Sequence, residues 1–414
     1  MIWIVGGGLA GLAAAVALAE QGRKVTLIEG APQAGGRCRS YFDPVLGSVI
    51  DNGNHLVLSG NHSVQAYLRS IGATHALAGP DRAAFDFVDV RSGKRWTIRP
   101  NGSALAWWIF AKGRRVPDTA PSDYLALVKL LLAGGDRRIE EVVRCEGPLW
   151  ERLLQPFLLA VLNSDPKTAS AKLAGAVTAE SLAKGGNAYR PRIAHPTLAA
   201  AFVDPALTYL AAKGAEIRLG QRVRALGFEG DRVAALQLPG EAIVVGASDT
   251  VILAVPPWAA TELLPGLTAP TEFRSIVNAH FKIVPPTGAP LMTGVIGGAA
   301  EWIFAFADRI SITVSGADAI VDDDREVLAK RFWADVAKVF HLGADLPPWQ
   351  IVKERRATFA ATPAQARLRP QPATRWSNLL LAGDWTDTGL PSTIEGAVRS
   401  GHKAAALVRS LPSP

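Results

Sequence analysis

The chain opens on a short unbroken apolar run, "MIWIV" (1–5), with no polar residues to alternate with. A run of this kind suits a parallel strand buried on both faces. Glycines follow, and then "LAAAVALAEQG" predicts an alanine-rich helix ending near Gly22. "KVTLIE" (24–29) predicts a second strand that ends on Glu29. The same unbroken pattern returns far along the chain, at "DTVILAVPP" (249–257) and "NLLLAGD" (378–384). Between these, residues 205–240 read as helix, strand, strand, turn, strand.

The remaining segments follow other patterns. "AAFDFVDVRSGKRWTIRP" (83–100) reads as two strands around a Ser-Gly-Lys turn. From about 101 to 185 the pattern is mostly helical. There, "SDYLALVKLLLAGG" (122–135) runs from a Ser/Asp cap to a glycine stop, and "GPLWERLLQPFLLAVLNS" (147–164) carries Pro156, which is expected to kink it. Residues 265–375 mix strands ("FRSIVNAHFKIV", "EWIFAFADR", "ISITVSG", "WQIVKERRATFA") with one helix. The acidic run 322–324 before that helix suits its N-terminal dipole better than a metal. No repeat and no long linker interrupts the chain. The pattern predicts an α/β fold. A Rossmann-like dinucleotide-binding domain would be assembled from 1–80, 186–265 and 376–414. An inserted α+β substrate-binding domain would take 81–185 and 266–375.

Composition narrows the function. Hydrophobic residues make up 49% and charged residues 20%, which is globular rather than disordered. The net charge of +7 is spread without a Lys/Arg block, which argues against nucleic acid as a partner. Cys38 and Cys145 build neither a disulfide framework nor a zinc pattern, so no metal and a cytoplasmic setting are expected. The N-terminus lacks the basic region of a signal peptide, and no stretch reaches about 18 uninterrupted apolar residues.

The first glycine turn carries chemistry. Gly6, Gly8 and Gly11 fit G-x-G-x-x-G between a strand and a helix. Gly6 permits the tight turn, Gly8 lets the backbone approach a pyrophosphate, and Gly11 lets helix and strand pack closely. The helix start offers free N–H groups to phosphate. Glu29 lies 18 residues after Gly11, where an acid accepts from a ribose hydroxyl. "GAPQAGGRCRS" (30–40) then makes a flexible loop, with Arg37 able to reach phosphate or ribityl oxygens.

The stretch "VGGGLAGLAAAVALAEQGRKVTLIEGAPQAGGR" resembles the flavin-dependent amine oxidase and phytoene desaturase superfamily, in which an acid followed by Gly-Gly-Arg is an FAD signature. The resemblance implies FAD rather than NAD, with Gly36 and Arg37 in its site. It also implies that Val223, within "QRVRAL", meets the adenine through its backbone. "DNGNH" (51–55), "LWE" (149–151) with "AVLN" (160–163), and "LAGDWTDTGLPSTIEGAVRSG" (381–401) together resemble the hydroxysqualene dehydroxylases of bacterial hopanoid synthesis. Gly383 and Asp384 then fall at the ribityl or pyrophosphate oxygens. A helix starting near Thr393 would aim the N–H groups from Ile394 to Ala397 at the flavin.

That family removes an allylic hydroxyl reductively. The hydroxyl leaves as water, and N5 of reduced flavin delivers hydride to the allylic cation. The substrate implied is hydroxysqualene or a similar apolar isoprenoid. One acid is required, and His55, Asp51 and Glu395 are the candidates in that order, with a turn cap open for Asp51 and a structural or FAD-orienting role for Glu395. Trp302 and Trp385 are expected in the pocket or the core. The alternatives are oxidative desaturation of a carotenoid-like polyene, amine oxidation, and a flavin-bound membrane-surface scaffold.

"SALAWWIFAKGRR" (103–115) adds a membrane question. Its tryptophans stand beside Lys112, Arg114 and Arg115, as at a bilayer interface, yet the segment is too short to span. It is either a peripheral contact with the inner face of the cytoplasmic membrane or a buried helix or subunit contact. Association with squalene-pathway enzymes is a further expectation of the resemblance.

Overall fold

The computed structural model describes residues 1–408. Five strands pair in parallel in the order Glu216–Arg218, Val25–Ile28, Ile2–Val5, Thr250–Leu253, Leu379–Leu381. The register sets Ile2 opposite both Val25 and Thr250, and Val251 opposite Leu379. Residues Val25–Ile28, Thr250–Leu253 and Leu379–Leu381 are buried on every side chain, which explains their unbroken apolar runs. Ile2, Ile4, Leu27, Ile252 and Leu380 face helices Leu9–Glu20, Asp204–Ala212 and Ile394–Val408. Val251, Leu253, Leu379 and Leu381 face the other way, into a core shared with the antiparallel strands Ala225–Glu229, Arg232–Leu238 and Glu241–Val244. This gives helices, parallel sheet and antiparallel sheet in three layers.

A second, seven-stranded sheet runs Trp349–Phe359, Phe273–Phe281, Ile310–Val314, Trp302–Ala305, Met292–Ile296, Phe85–Asp89, Arg95–Ile98. It is antiparallel except where Met292–Ile296 pairs in parallel with Phe85–Asp89. Period-two alternation separates its faces. Val277, Ala279, Phe281, Ile312 and Ile303 pack on helix Arg325–Phe340. Asp324 caps that helix by accepting from the N–H groups of Glu326 and Val327. Phe87, Trp96, Met292, Trp302 and Phe304 point to the opposite face, where they join a core with Trp150, Leu154 and Leu158 of a helical cap.

The cap departs from the mostly helical expectation. Between 101 and 145 the one α-helix is Leu125–Leu131, joined by single 3-10 turns at Trp107–Phe110, Pro121–Tyr124 and Ile139–Glu141. Prolines, glycines and aspartates every few residues leave too short a run for a longer helix to nucleate. Pro156 acts as expected but on its N-terminal side. The turn Trp150–Leu154 widens to a π-helix before α-helix Gln155–Leu162 begins, because Pro156 offers no N–H to the carbonyl one turn back. That helix stops at Asn163, whose φ is +47°. Asn163 donates to Thr358 Oγ1 (2.9 Å) and accepts from Gly316 N–H (2.6 Å), tying the cap to two strand ends of the seven-stranded sheet.

Candidate active site

The first glycine turn is built as its spacing predicts. Gly6 has φ +112°, and a Cβ on Gly11 would lie 1.9 Å from Gly6 O. Gly8 differs from both, because a Cβ there would meet nothing within 4 Å. The backbone at the start of helix Leu9–Glu20 therefore faces open space, as a phosphate cradle must. Glu29 closes the adjoining strand. Its carboxylate accepts from Gly7 N–H (2.6 Å) and Ala31 N–H (2.7 Å), which fixes it beside that space. Val223 follows Gln221, whose N–H donates to Glu29 O (2.8 Å). The backbone N–H and C=O of Val223 bond to none of the described residues, and neither does the buried Oε1 of Gln221.

The loop after Glu29 and the C-terminal segment meet directly. Gly36 turns with φ +56°, and Arg37 then reaches 347 residues ahead to pair with Asp384 Oδ1 at 2.7 Å. Arg37 also donates to Ala357 O, at the end of the seven-stranded sheet. Gly383 donates its N–H to Ser400 Oγ (2.8 Å), which pins the strand end to the last helix. Trp385 folds back so that its indole N–H reaches Val255 O (2.9 Å). Arg37, Asp384, Trp385, Trp258, Phe273 and Phe359 line a narrow cleft that straddles the two sheets. Ser392 Oγ lies in its wall, buried and without a partner. A larger, shallower groove lies on the outer face of helix Arg325–Phe340, on the far side of the seven-stranded sheet.

The last helix begins at Ile394. Thr393 Oγ1 accepts from Gly396 N–H (3.0 Å), and Thr393 O accepts from Ala397 N–H (2.9 Å). The expected set of amides is therefore shorter than Ile394 to Ala397. Ala397 makes the first bond within the helix and is not free for a ligand, because a helix leaves only its earliest N–H groups unpaired.

The three acid candidates have different surroundings. Asp51 is buried, and its Oδ1 accepts from Ser40 Oγ (2.6 Å) and Leu198 N–H (2.9 Å). Arg309 stands 3.8 Å from Oδ2, and burial raises the pKa. Glu395 accepts from Ser63 and Val64 N–H at 3.1 and 3.0 Å, which caps helix His62–Ser70, and it pairs with Arg399 at 3.1 Å. Its carboxylate is fully committed to holding two helices together. His55 is half-buried and bonds to no described side chain. Burial, with the charge of Arg37 added, pushes its pKa down to about 4. It does not titrate near neutrality, because a desolvated imidazole beside a cation resists a second positive charge.

The rest of "DNGNH" docks on the polar side of the seven-stranded sheet. His280 Nε2 lies 3.0 Å from Asp51 O, and His280 Nδ1 lies 2.8 Å from Ser311 Oγ. Asn54 donates to Thr313 Oγ1 (3.1 Å), Thr313 to Asn278 Oδ1 (2.8 Å), and Asn52 to Glu354 (3.2 Å). These bonds seat His55 at the junction of the two sheets.

The comparisons with known proteins agree with this geometry. Residues 9–409 match the family of flavin containing amine oxidoreductases. The chain is 55% identical to a hydroxysqualene dehydroxylase of Rhodopseudomonas palustris, over 98% of both chains. It is 50% identical to one of Sinorhizobium fredii, over 99% of this chain and 98% of that one. The chain belongs to the hydroxysqualene dehydroxylases, within the flavin-containing amine oxidoreductases. Among solved structures, cyclohexylamine oxidase from Brevibacterium oxydans superimposes with a TM-score of 0.73 at 16% identity, over 99% of this chain and 98% of that one, which shows a shared fold.

The cofactor is FAD, and the residues present fit it. The open space over Gly8, the carboxylate of Glu29 and the unpaired polar atoms of Gln221 and Val223 lie at one end. The Arg37–Asp384 pair and the orphaned Ser392 hydroxyl lie at the other. For a hydroxysqualene dehydroxylase, sequence reasoning overlooked Arg369. Its buried guanidinium donates to Asp384 O (3.1 Å), Thr386 O and Thr388 Oγ1 (2.9 Å), holding the loop that carries Asp384. The only signal was a lone arginine before a proline, which by itself points nowhere. Trp302 stands apart from the cleft, edge-on to Phe87 at 5.6 Å in the core beneath the cap.

Proposed function

We propose that this chain converts hydroxysqualene to squalene by reductive dehydroxylation. The full-length likeness to relatives named for that substrate carries the reading. The proposed division of labour keeps FAD on 1–80, 186–265 and 376–414, and the apolar substrate on 81–185 and 266–375. Glu29 would hold the adenosine ribose, the amides after Gly8 the pyrophosphate, and Val223 the adenine. Arg37 and Asp384 would hold the ribityl side, with the first amides of the helix at Ile394 facing the flavin. One carbon–oxygen bond breaks, the oxygen takes a proton and leaves as water, and the hydride that reduced FAD supplies when bound forms the new carbon–hydrogen bond.

His55 is the proposed proton donor. Asp51 and Glu395 serve as caps, and their committed hydrogen bonds support that assignment. With a pKa of about 4, His55 is neutral at pH 7 and presents an N–H to a hydroxyl. Its protonated form is scarce but strongly acidic, which favours transfer to a leaving oxygen. Substrate-driven reoxidation of the flavin should then quicken as pH falls toward 4, as the protonated fraction of His55 grows. The test is a single turnover of anaerobically reduced holoenzyme with hydroxysqualene. Squalene formation together with flavin reoxidation supports the reading. Desaturation of phytoene by the oxidised enzyme, without dehydroxylation, would replace it with the desaturase alternative, and neither activity would leave the scaffold. An unchanged rate in His55→Ala would remove His55 as donor.

The segment 103–115 is proposed to touch the inner face of the cytoplasmic membrane. Among the described residues, no helix is long and apolar enough to cross a membrane. Leu105, Trp107 and Phe110 point outward while Trp108 is buried, which supports surface contact over a buried helix.

A further inference from the structure

The exposed apolar side chains are not scattered evenly. Of the 17 large hydrophobic residues exposed among the described residues, seven fall between Leu105 and Leu132. Three are Leu105, Trp107 and Phe110 of the segment already discussed. The others are Leu125, Val128, Leu131 and Leu132, on the helix Leu125–Leu131 and at its end. Leu125, Val128 and Leu132 follow i, i+3, i+7 spacing and so share one face. The opposite face carries Leu130, buried against Gly175 of helix Ala171–Glu180. The outward face is therefore fixed by packing and is not a frayed end.

The two apolar strips are joined. Trp108 meets Tyr124 edge-on with ring centroids 5.4 Å apart, and Tyr124 OH accepts from Val116 N–H (3.0 Å). Tyr124 directly precedes the helix. Cations outnumber acids around both strips. Lys112 and Lys129 are exposed and have no ion-pair partner among the described residues. Arg114 stacks over Trp107 at 4.7 Å, which leaves its positive charge beside an exposed indole. The nearby acids are committed: Asp118 pairs with Lys94 and Arg152, and Asp123 accepts from Ala120 N–H.

Resting on the proposed membrane contact of 103–115, we infer that the helix Leu125–Leu131 and Leu132 form the second half of the contact, so that the protein docks through two strips on a bilayer of anionic lipid. Apolar side chains entering the interface beside lysines and an arginine that meet anionic headgroups is the arrangement that holds interfacial elements on membranes. A second copy of the chain is the poorer occupant, because a two-fold contact would press one patch carrying Lys112 and Lys129 against another of the same sign.

The test is flotation of FAD-loaded protein with vesicles of phosphatidylcholine alone and with added phosphatidylglycerol. Wild type should bind the anionic vesicles, and binding should fall as salt is raised. Trp107→Ser with Phe110→Ser should weaken binding by about tenfold or more, and Leu125→Gln with Val128→Gln and Leu132→Gln by a similar factor. Lys129→Glu, a single exposed change unable to disturb the core, should weaken binding to anionic vesicles only. If the helix variants and Lys129→Glu bind like wild type while the Trp107/Phe110 variant does not, the inference fails and the contact of 103–115 stands. Failure of wild type to bind either vesicle overturns both. Equal binding to neutral and anionic vesicles overturns the lipid assignment. A wild-type dimer that the helix substitutions dissociate overturns it in favour of self-association.

Discussion

The two sheets hold their surroundings in opposite ways. The parallel sheet ends in backbone with capacity left over, in the open space beside Gly8 and at Val223, whose N–H and C=O bond to none of the described residues. On the polar side of the seven-stranded sheet, by contrast, His280, Asn278, Thr313 and Ser311 bond to one another and to "DNGNH", with Asn54 Oδ1 left over. Backbone facing open space at one sheet, and a largely paired network on the other, separate binding a ligand from fixing a geometry. A ligand must be met by groups with capacity left over, whereas a junction between units needs groups with none.

Substitutions can break that contrast at graded cost. The largest effect is expected from Gly11→Val. With its first side-chain atom 1.9 Å from Gly6 O, the cradle cannot close, and purified protein should carry almost no flavin, read as the ratio of flavin to protein absorbance. Next comes the paired network under acid. The His280 imidazole is buried, and desolvation with the nearby Arg309 charge lowers its pKa from an ordinary 6.5 to about 4. The unfolded chain takes up the proton first, so stability is fully present above pH 6.5 and drains as pH falls from there toward 4. The loss is about 3 kcal/mol for this residue. Urea unfolding between pH 7 and 4.5 should show it, and His280→Gln should flatten the slope.

Asn163→Ala should cost roughly 2 kcal/mol by removing the cap's bonds to Thr358 and Gly316. Thermal unfolding should register the loss while flavin content stays near normal, since the residue belongs to the second sheet's side. The smallest effect is the coupling of Arg37 with Asp384. The pair is short, but the arginine is 41% exposed, so a double-mutant cycle on folding stability should return about 1 kcal/mol or less. Flavin affinity in the same cycle should change more than stability does. Equal changes would make the pair a structural tie and not part of the cofactor site.

The parallel sheet was legible because its information is local. Short unbroken apolar runs, each followed by glycine or proline, were enough to place Ile2–Val5, Thr250–Leu253 and Leu379–Leu381 in one sheet. The strand Met292–Ile296 escaped notice because glycines within and after it dilute the pattern. The site was legible in outline. Glu29 and Asp384 stand just past strand ends and Arg37 in the turn Gly36–Cys38, but Glu395 shows what a linear pattern hides. Its carboxylate serves the backbone of Ser63 and Val64, some 330 residues away, and no spacing rule connects them. The acidity of His55 was equally unreadable, since it depends on desolvation and on Arg37, both products of the fold.

The pairing of Arg37 with Asp384 also bears on how the protein comes into being. A fragment that stops short of Asp384 lacks half of that pair, however complete its first glycine turn. Such a fragment can still form the first glycine turn but is expected to hold flavin weakly. Yellow colour is then expected to report chains that run past Asp384.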